Sequence, residues 1–415
     1  MLQRKPQPPL ILVVGMTGSI HLARWISAIR NGPFRVVVFP SIIQRPVPEL
    51  QPAKPVSSRS DLKQLASNEI GIVPDDRVAA LPQADTDSPG SYPYARPVTR
   101  LPLQRMPDPS SLGKIIHALK PDLIHSMELQ HGGYLVAECK RRAKASIFTR
   151  DFPPWLASSW GSDIFLYKQF GEHRPVLRSL LQSVDGLHSD CERDLDWAQR
   201  NGFSGFQFPQ MPASMGIDYT SYPKLSSLSK PSERRTIFIK GYHHWAGRGV
   251  HILLALHLIA PYLKKYKIVV AHASKPVAAL VEKLRSQDGL DISVSPYLPN
   301  HADTIARLAS ARVAIGYGIS DGISTTLLEA MSVGTFVIQA NTCCGKEWVI
   351  PGETGLLVSP HDIAALSRAI LLAATNDDLV DGAAQRNRAT VEAGWCARTN
   401  GPIALEAYQE MISSP

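Results

Sequence analysis

The chain has 415 residues, enough for about two domains of ordinary size, and its 44% hydrophobic and 19% charged content is globular in balance. No apolar run approaches the roughly 18–20 residues of a bilayer span, which excludes a helical membrane protein, and the opening MLQRKPQPP is too short and proline-rich for a signal peptide, so a soluble, unexported chain is expected. The net charge of +8 is uneven, with six excess cations in residues 1–210 against two in 211–415; this suits anionic partners or an acidic membrane surface, and simple solubility equally, while the lack of interleaved aromatic and basic residues argues against nucleic acid.

LILVVG (10–15), a glycine turn and IHLARWISAIR (20–30) read as strand, turn and amphipathic helix, and RVVVFPS (35–41) as a second strand: a βαβ opening. Residues 40–110 hold 13 of the 33 prolines with little periodicity, so irregular loops are expected there, with one short helix near 60–68. The rhythm returns in SLGKIIHALKPDLIHSMELQHGGYLVAECKRRAK, with DLIHS as a strand and KRRAK (140–144) as the polar end of a helix. SIFTR (146–150), WLASSWGSD (155–163) and GLHSD (186–190) suggest further short strands.

Between 203 and 233 the composition shifts to Pro, Ser and Tyr, as expected of an inter-domain crossing, placing the boundary near residue 212. Strands TIFIKGY (236–242), KIVVAH (267–272), DISVSPYL (291–298), RVAIGYG (312–318) and TFVIQA (335–340) follow. A long amphipathic helix is expected over 249–266, with others near 275–286, 301–311, 324–333, 361–374 and 401–412. Strands alternating with helices imply α/β domains with parallel sheets.

The stretch GYGISDGISTTLLEAMSVGTFVIQANTCCGKEWVIPGETGLLV (316–358) carries the chemistry. Gly316 to Gly322 supply turn residues where backbone can approach a ligand. Ser324, Thr325 and Thr326 sit where a helix begins, so their hydroxyls and unpaired N–H groups suit an anion. Glu329, one turn later, is a good acceptor for two neighbouring sugar hydroxyls. A diphosphate and a ribose held side by side make a nucleotide-sugar site.

This pattern resembles the signature of retaining glycosyltransferases of the GT-B fold, especially family 4, in which two acids are separated by seven positions; here they are Asp321, in place of the usual glutamate, and Glu329. EAMSVGTFVIQA and EWVIPGETGLLV, like MGID (215–218), continue the likeness. The resemblance implies two Rossmann-like domains facing across a cleft: an acceptor domain, 1–212, to which a helix at 400–415 returns, and a donor domain, 213–399. It implies that the backbone at Gly322, Ile323, Ser324 and Thr325 holds the donor diphosphate, that Glu329 bonds the ribose and that Asp321 lies near the transferred sugar. In IKGYHHWAGRGV (239–250), Lys240 stands near the family's usual Arg and Arg248 at its usual Lys, with two or three extra residues between. Two phosphate cations are thus implied, though exposed loop cations would read alike.

GMTGS (15–19), with Gly18 and Ser19, resembles the family's turn beside the donor, although a tight βα turn without a ligand looks the same. WGSD (160–163) resembles the HGSD-like acceptor element, with Trp160 where histidine is usual; Asp163 is a candidate for orienting an acceptor hydroxyl, or half of a Ser162–Asp163 N-cap pair. Glu128 and His131, just after a strand end, are candidates for acceptor contact or proton transfer. His125 and His188 read as packed strand-end histidines.

The expected activity is transfer of a sugar from a UDP- or GDP-sugar co-substrate to a hydroxyl of a glycan, lipid-linked glycan or small acceptor, of the kind used in bacterial-type polysaccharide or glycoconjugate biosynthesis. The chain is expected in the cytoplasm, with peripheral contact to an acidic inner membrane face. An epimerase or hydrolase of the same fold, or a non-catalytic glycan-binding member, are the rival readings. No metal or resident cofactor is implied: GT-B enzymes neutralise the leaving diphosphate with cations and helix N-termini. Asp194-Leu195-Asp196 and Asp85-Thr86-Asp87 match a metal-binding DxD in spacing, but neither follows a buried strand. The odd, scattered cysteines Cys139, Cys191, Cys343, Cys344 and Cys396 lack C-x-x-C spacing and fit a reducing compartment without structural zinc; Cys343 and Cys344 read as site lining. His243 and His244 lack metal-ligand spacing.

Overall fold

A computed structural model describes residues 7–66, 68–78, 101, 106–144, 152–296, 298 and 300–413. The described chain divides into two compact units, one within residues 1–83, 98–215 and 397–415, the other over 216–396. Much of the proline-rich segment, the SIFTR run and the DxD at 85–87 lie outside the described residues.

The first unit is built on eight parallel strands: β1 (Leu10–Gly15), β2 (Arg35–Pro40), β3 (Ala53–Pro55), β4 (Ile70–Ile72), β5 (Leu123–Met127), β6 (Trp155–Ser159), β7 (Gly186–Ser189) and β8 (Phe206–Gln207), in the order β3-β4-β2-β1-β5-β6-β7-β8. β1 pairs with β2 on one side and β5 on the other, so the chain changes winding direction between β1 and β5. β1 is buried throughout, as a strand covered on both faces must be, which is why it reads as an unbroken apolar run. The three-residue strands β3 and β4 are too short to show a period. The short helix expected near 60–68 is Arg59–Gln64, closed by a Ser58–Asp61 capping box.

The helix Ala397–Ser413 packs in this unit through a buried chain of five side chains. Trp25 Nε1–H donates to Tyr408 Oη (2.7 Å), and the Tyr408 hydroxyl donates to His125 Nδ1 (2.6 Å). His125 Nε2–H donates to Ser158 Oγ (2.6 Å), the Ser158 hydroxyl donates to His188 Nδ1 (3.0 Å), and His188 Nε2–H donates to the Met211 carbonyl (2.9 Å). The two ends fix every proton, because an indole N–H only donates and a carbonyl only accepts. Burial holds both imidazoles neutral, His125 well below its ordinary pKa and His188 at about 4.

The second unit holds six parallel strands: β9 (Thr236–Lys240), β10 (Lys267–Ala271), β11 (Asp291–Val294), β12 (Ala311–Gly316), β13 (Phe336–Ala340) and β14 (Gly355–Val358), ordered β11-β10-β9-β12-β13-β14. Ile237, Ile239, Ile315, Phe336 and Ile338 centre its core. The winding direction reverses between β9 and β12, whose carboxyl ends therefore open side by side where ligands enter sheets of this kind. The helix expected to run to residue 266 stops at Leu258 and gives way to a 3₁₀ turn, Ala260–Leu263, because Pro261 has no N–H to continue the ladder. The helix Asp377–Gly394 has no counterpart in the sequence reading.

Candidate functional site

In the second unit, Lys240 ends β9 and Asp321 follows β12, and their side chains meet at 3.8 Å (Nζ to Oδ2). Asp321 Oδ1 also accepts the Gly322 amide at 3.0 Å, fixing the carboxylate against its own turn. Ser324 caps the helix Thr325–Ser332 in extended conformation, but its side chain makes no cap bond, and Ser324 Oγ is buried with no hydrogen-bond partner. A helix start leaves backbone donors without partners inside the helix, and here that start, with the unpaired Ser324 hydroxyl, follows directly on the Lys240–Asp321 pair. Glu329 lies one turn on, almost fully buried, its Oε1 bonded to His301 Nε2 at 2.8 Å.

The loop joining β9 to the helix Gly249–Leu258 is held over this turn. Ile319 N donates to the Ala246 carbonyl (2.9 Å), Arg248 N to that of Tyr317 (2.9 Å), and Thr342 Oγ1 to that of Gly318 (2.7 Å). Gly249 must be glycine: a Cβ there would stand 2.7 Å from the Gly241 carbonyl oxygen. His243 and His244 build the loop. His244 Nδ1 accepts from the amides of Ala246 (3.1 Å) and Gly247 (3.3 Å), and His243 Nδ1 accepts from Val250 (3.3 Å), so each ring is an acceptor rather than a cation. Burial, then Lys240 and Arg248, push His244 down to about 4, which keeps that acceptor lone pair.

Arg248 is where the expected pair of phosphate cations narrows. Its Nη1 lies 3.0–3.5 Å from the carbonyls of residues 244–247, so one face of the guanidinium is spent closing its own turn. The inserted residues require this, since they leave a tight loop whose carbonyls need a donor. Lys240 is the cation at the acid. It also lies over the Tyr242 ring (5.4 Å to the centroid), and Tyr242 stacks on His272 with centroids 5.0 Å apart and planes 16° from parallel. His272 adopts φ 54° at the carboxyl end of β10 and is depressed by burial, then by Lys240, with Glu329 opposing. Lys240, Asp321, Glu329, His272 and His301 thus form one cluster with the Gly322–Thr325 backbone. Cys343 is a buried thiol pushed up to about 12 by burial, then by Asp321, and is inert lining.

In the first unit, Gly18 and Ser19 follow β1. Ser19 caps the helix Ile20–Ile29 by accepting from the His21 amide (3.2 Å), and a Cβ on Gly18 would stand 2.8 Å from Gln44 Oε1. Glu128 follows β5 in the strained conformation φ 70°, ψ 150°, which is rare for a residue with a Cβ. What holds it there is its own carboxylate, which accepts the His131 and Gly132 amides of the π-turn Leu129–Gly133 and lies 3.3 Å from His131 Nδ1. Gly132 permits the approach, since a Cβ would meet the Val14 carbonyl oxygen at 2.7 Å.

Asp163 joins this cluster, but not as half of a Ser162–Asp163 cap. The N-cap is Gly161 at φ 83°, and Asp163 Oδ2 reaches back to accept from Trp160 N (3.1 Å) and across to Leu129 N (3.0 Å). Burial, then the Glu128 carboxylate, raise its pKa. Burial pulls His131 down, but Glu128 and Asp163 outweigh it and hold the imidazole above its ordinary value. The His21 ring packs edge-on against Trp160, centroids 5.6 Å apart. Of the declined DxD motifs, Asp194 is buried and neutralised by Arg193 at 2.8 Å, on a helix.

Sequence reasoning brought forward the acids, Lys240 and the helix start, but missed His272 and His301. A strand-end rule would have flagged His272, one residue past β10. His301 carries no local signal, since its partner lies 28 residues away.

Residues 227–390 match the family model of glycosyl transferases group 1. No curated protein sequence matches the chain significantly. Among solved structures, the chain is similar to a sucrose-phosphate synthase from Thermosynechococcus elongatus (16% identity, TM-score 0.66, covering 98% of this chain and 100% of that one). It is also similar to HepE of Anabaena in complex with UDP and glucose (14%, 0.66, 97% and 100%) and to a glycosyltransferase from Rickettsia africae (12%, 0.60, 99% and 100%). With a glycosyl transferases group 1 domain on its second unit and two parallel α/β sheets matching these structures over nearly the whole chain, this protein has the GT-B fold and carries the group 1 glycosyl transferase domain.

Proposed function

We propose that the second unit binds a nucleoside diphosphate sugar and that the enzyme transfers its sugar, with retention at the anomeric carbon, to a hydroxyl of a glycan, lipid-linked glycan or small acceptor, in a pathway of polysaccharide or glycoconjugate synthesis. The observation that carries this reading is the pairing of Lys240 with Asp321 just ahead of the helix Thr325–Ser332, where Ser324 Oγ lacks a partner and Glu329 follows one turn later. As the glycosidic bond breaks, charge grows on the leaving diphosphate, and a preorganised ammonium with helix-start N–H groups favours that state over the ground state. Glu329 accepts the ribose hydroxyls. Asp321, tethered by Gly322 N and Lys240, is placed to accept hydroxyls of the sugar. Residues of the first unit, Glu128, His131 and Asp163, are the acceptor-side groups, His131 being the one suited to move a proton. HepE binds UDP-glucose, which makes UDP-sugars the first donors to try. Action in the cytoplasm, with peripheral contact to an acidic leaflet, fits the basic first half.

The test is a panel of labelled UDP-, GDP- and dTDP-sugars with wild type, Glu329→Ala and Lys240→Ala. Glu329→Ala is expected to weaken donor binding about 10- to 100-fold, the worth of charge-assisted hydrogen bonds. Lys240→Ala is expected to lower kcat about 100-fold, the loss of one transition-state charge partner. Absence of saturable donor binding by wild type, or unchanged binding by Glu329→Ala, rejects the reading.

A further inference from the structure

Glu329 is not alone in its pocket. It sits mid-helix in Thr325–Ser332 with its side chain only 6% exposed, whereas the ring bonded to it, His301, is 42% exposed. A carboxylate accepts and does not donate, so the proton in the 2.8 Å contact lies on His301 Nε2. His301 opens the helix His301–Ala309, where Asn300 caps by accepting from the Ala302 amide (3.1 Å), so backbone geometry fixes the ring's origin. The Tyr222 ring is tilted toward it with centroids 6.2 Å apart. A side chain 28 residues away in sequence thus holds one oxygen of a buried acid.

We infer that His301 is a positioning residue for the donor: by holding Glu329 Oε1 it sets the carboxylate plane that reads the two ribose hydroxyls, and so determines discrimination between ribose and 2′-deoxyribose nucleotides. The inference rests on the proposal that Glu329 bonds the ribose. A carboxylate offers about four acceptor positions, so one bond from an imidazole is compatible with bonds from two vicinal hydroxyls, provided the plane is fixed. Bidentate acceptance is orientation-dependent, and a buried carboxylate deprived of the His301 donor turns toward another N–H within reach. The 2′-hydroxyl then loses its acceptor even though Glu329 is still present. A partly exposed partner also lets the nucleotide enter beside it without unburying the acid.

The experiment measures binding of UDP and GDP, each against its 2′-deoxy counterpart, to wild type, His301→Ala, His301→Gln and Glu329→Ala, with melting curves to show that each variant is folded. Wild type is expected to prefer the ribonucleotide. His301→Ala is expected to weaken ribonucleotide binding about tenfold while leaving the 2′-deoxy form nearly unchanged, the effect of one misplaced charge-assisted hydrogen bond. His301→Gln places an amide N–H near the same point and is expected to restore most of the discrimination, which a merely structural role would not predict. Glu329→Ala is expected to abolish discrimination. If Glu329→Ala loses it while His301→Ala and His301→Gln both retain wild-type affinity and ratio, the inference is overturned and the ribose reading stands. If Glu329→Ala keeps full discrimination, or wild type binds neither nucleotide, the ribose reading itself falls and the inference with it.

Discussion

Asp163 is buried, yet one of its oxygens accepts two backbone N–H groups, from Leu129 and Trp160, while the Glu128 carboxylate stands close enough to oppose its charge. Its raised pKa means that the native state binds a proton more tightly than the unfolded chain. Stability therefore falls as pH rises from the ordinary value of 3.8 through the raised one. Asparagine keeps an oxygen for both amides and carries no charge. Asp163→Asn is accordingly expected to melt near the wild-type temperature at about pH 4 and above it at pH 8; thermal melts at the two values check this, and a wild type that gains on the variant with rising pH contradicts it. The residue types at this cluster were legible in the sequence because they follow strand ends. Their arrangement was not, because Asp163 reaches 34 residues back to Leu129, and no local pattern encodes which amide a carboxylate will find.

At the scale of elements, the helix Ala397–Ser413 is tied to β5, β6 and β7 by the directed chain from Trp25 to Met211. Tyr408 is the helix's own link in that chain, accepting from Trp25 and donating to His125. Tyr408→Phe keeps the ring packing and leaves the Trp25 N–H and His125 Nδ1 unsatisfied in a dry interior, at an expected cost of about 2–4 kcal/mol measured by denaturant unfolding. A change under about 0.5 kcal/mol would show that water or another group replaces the hydroxyl. Strands such as β1 and β13 were plain as apolar runs. Missed elements share a cause: β3 and β4 are too short for a period, and Asp377–Gly394 spends several of its buried positions on Ala383, Ala384 and Asn387, which hydropathy does not flag. The second unit also buries Arg234 and Arg312 against main-chain carbonyls, Arg312 at the start of β12, where a strand reading expects an apolar side chain.

At the scale of the whole molecule, each unit owns a parallel sheet and a core, and a chain built this way is not expected to unfold as one two-state system. A nucleotide bound to the second unit stabilises that unit by mass action, about 2.7 kcal/mol at 100 times Kd. Calorimetry with and without UDP is therefore expected to move the transition that a core substitution such as Ile338→Ala lowers, and to leave in place the one that Tyr408→Phe lowers. A shift confined to the latter would place the nucleotide on the first unit. The match to glycosyl transferases group 1 over 227–390 falls within the second unit, where the acid pair, the helix start and Lys240 are also found.

The sequence by itself determined the alternation of strand and helix, the turns after β1, β5, β9 and β12, and the acids Asp321 and Glu329, because hydrophobic period and turn chemistry are local properties. Tertiary structure alone decided that Arg248 closes its own loop, that His243 and His244 serve as acceptors, and that His301 holds Glu329. Each of those outcomes depends on which donors and acceptors are left over once the sheets have packed, and that remainder is set by contacts between elements distant in sequence.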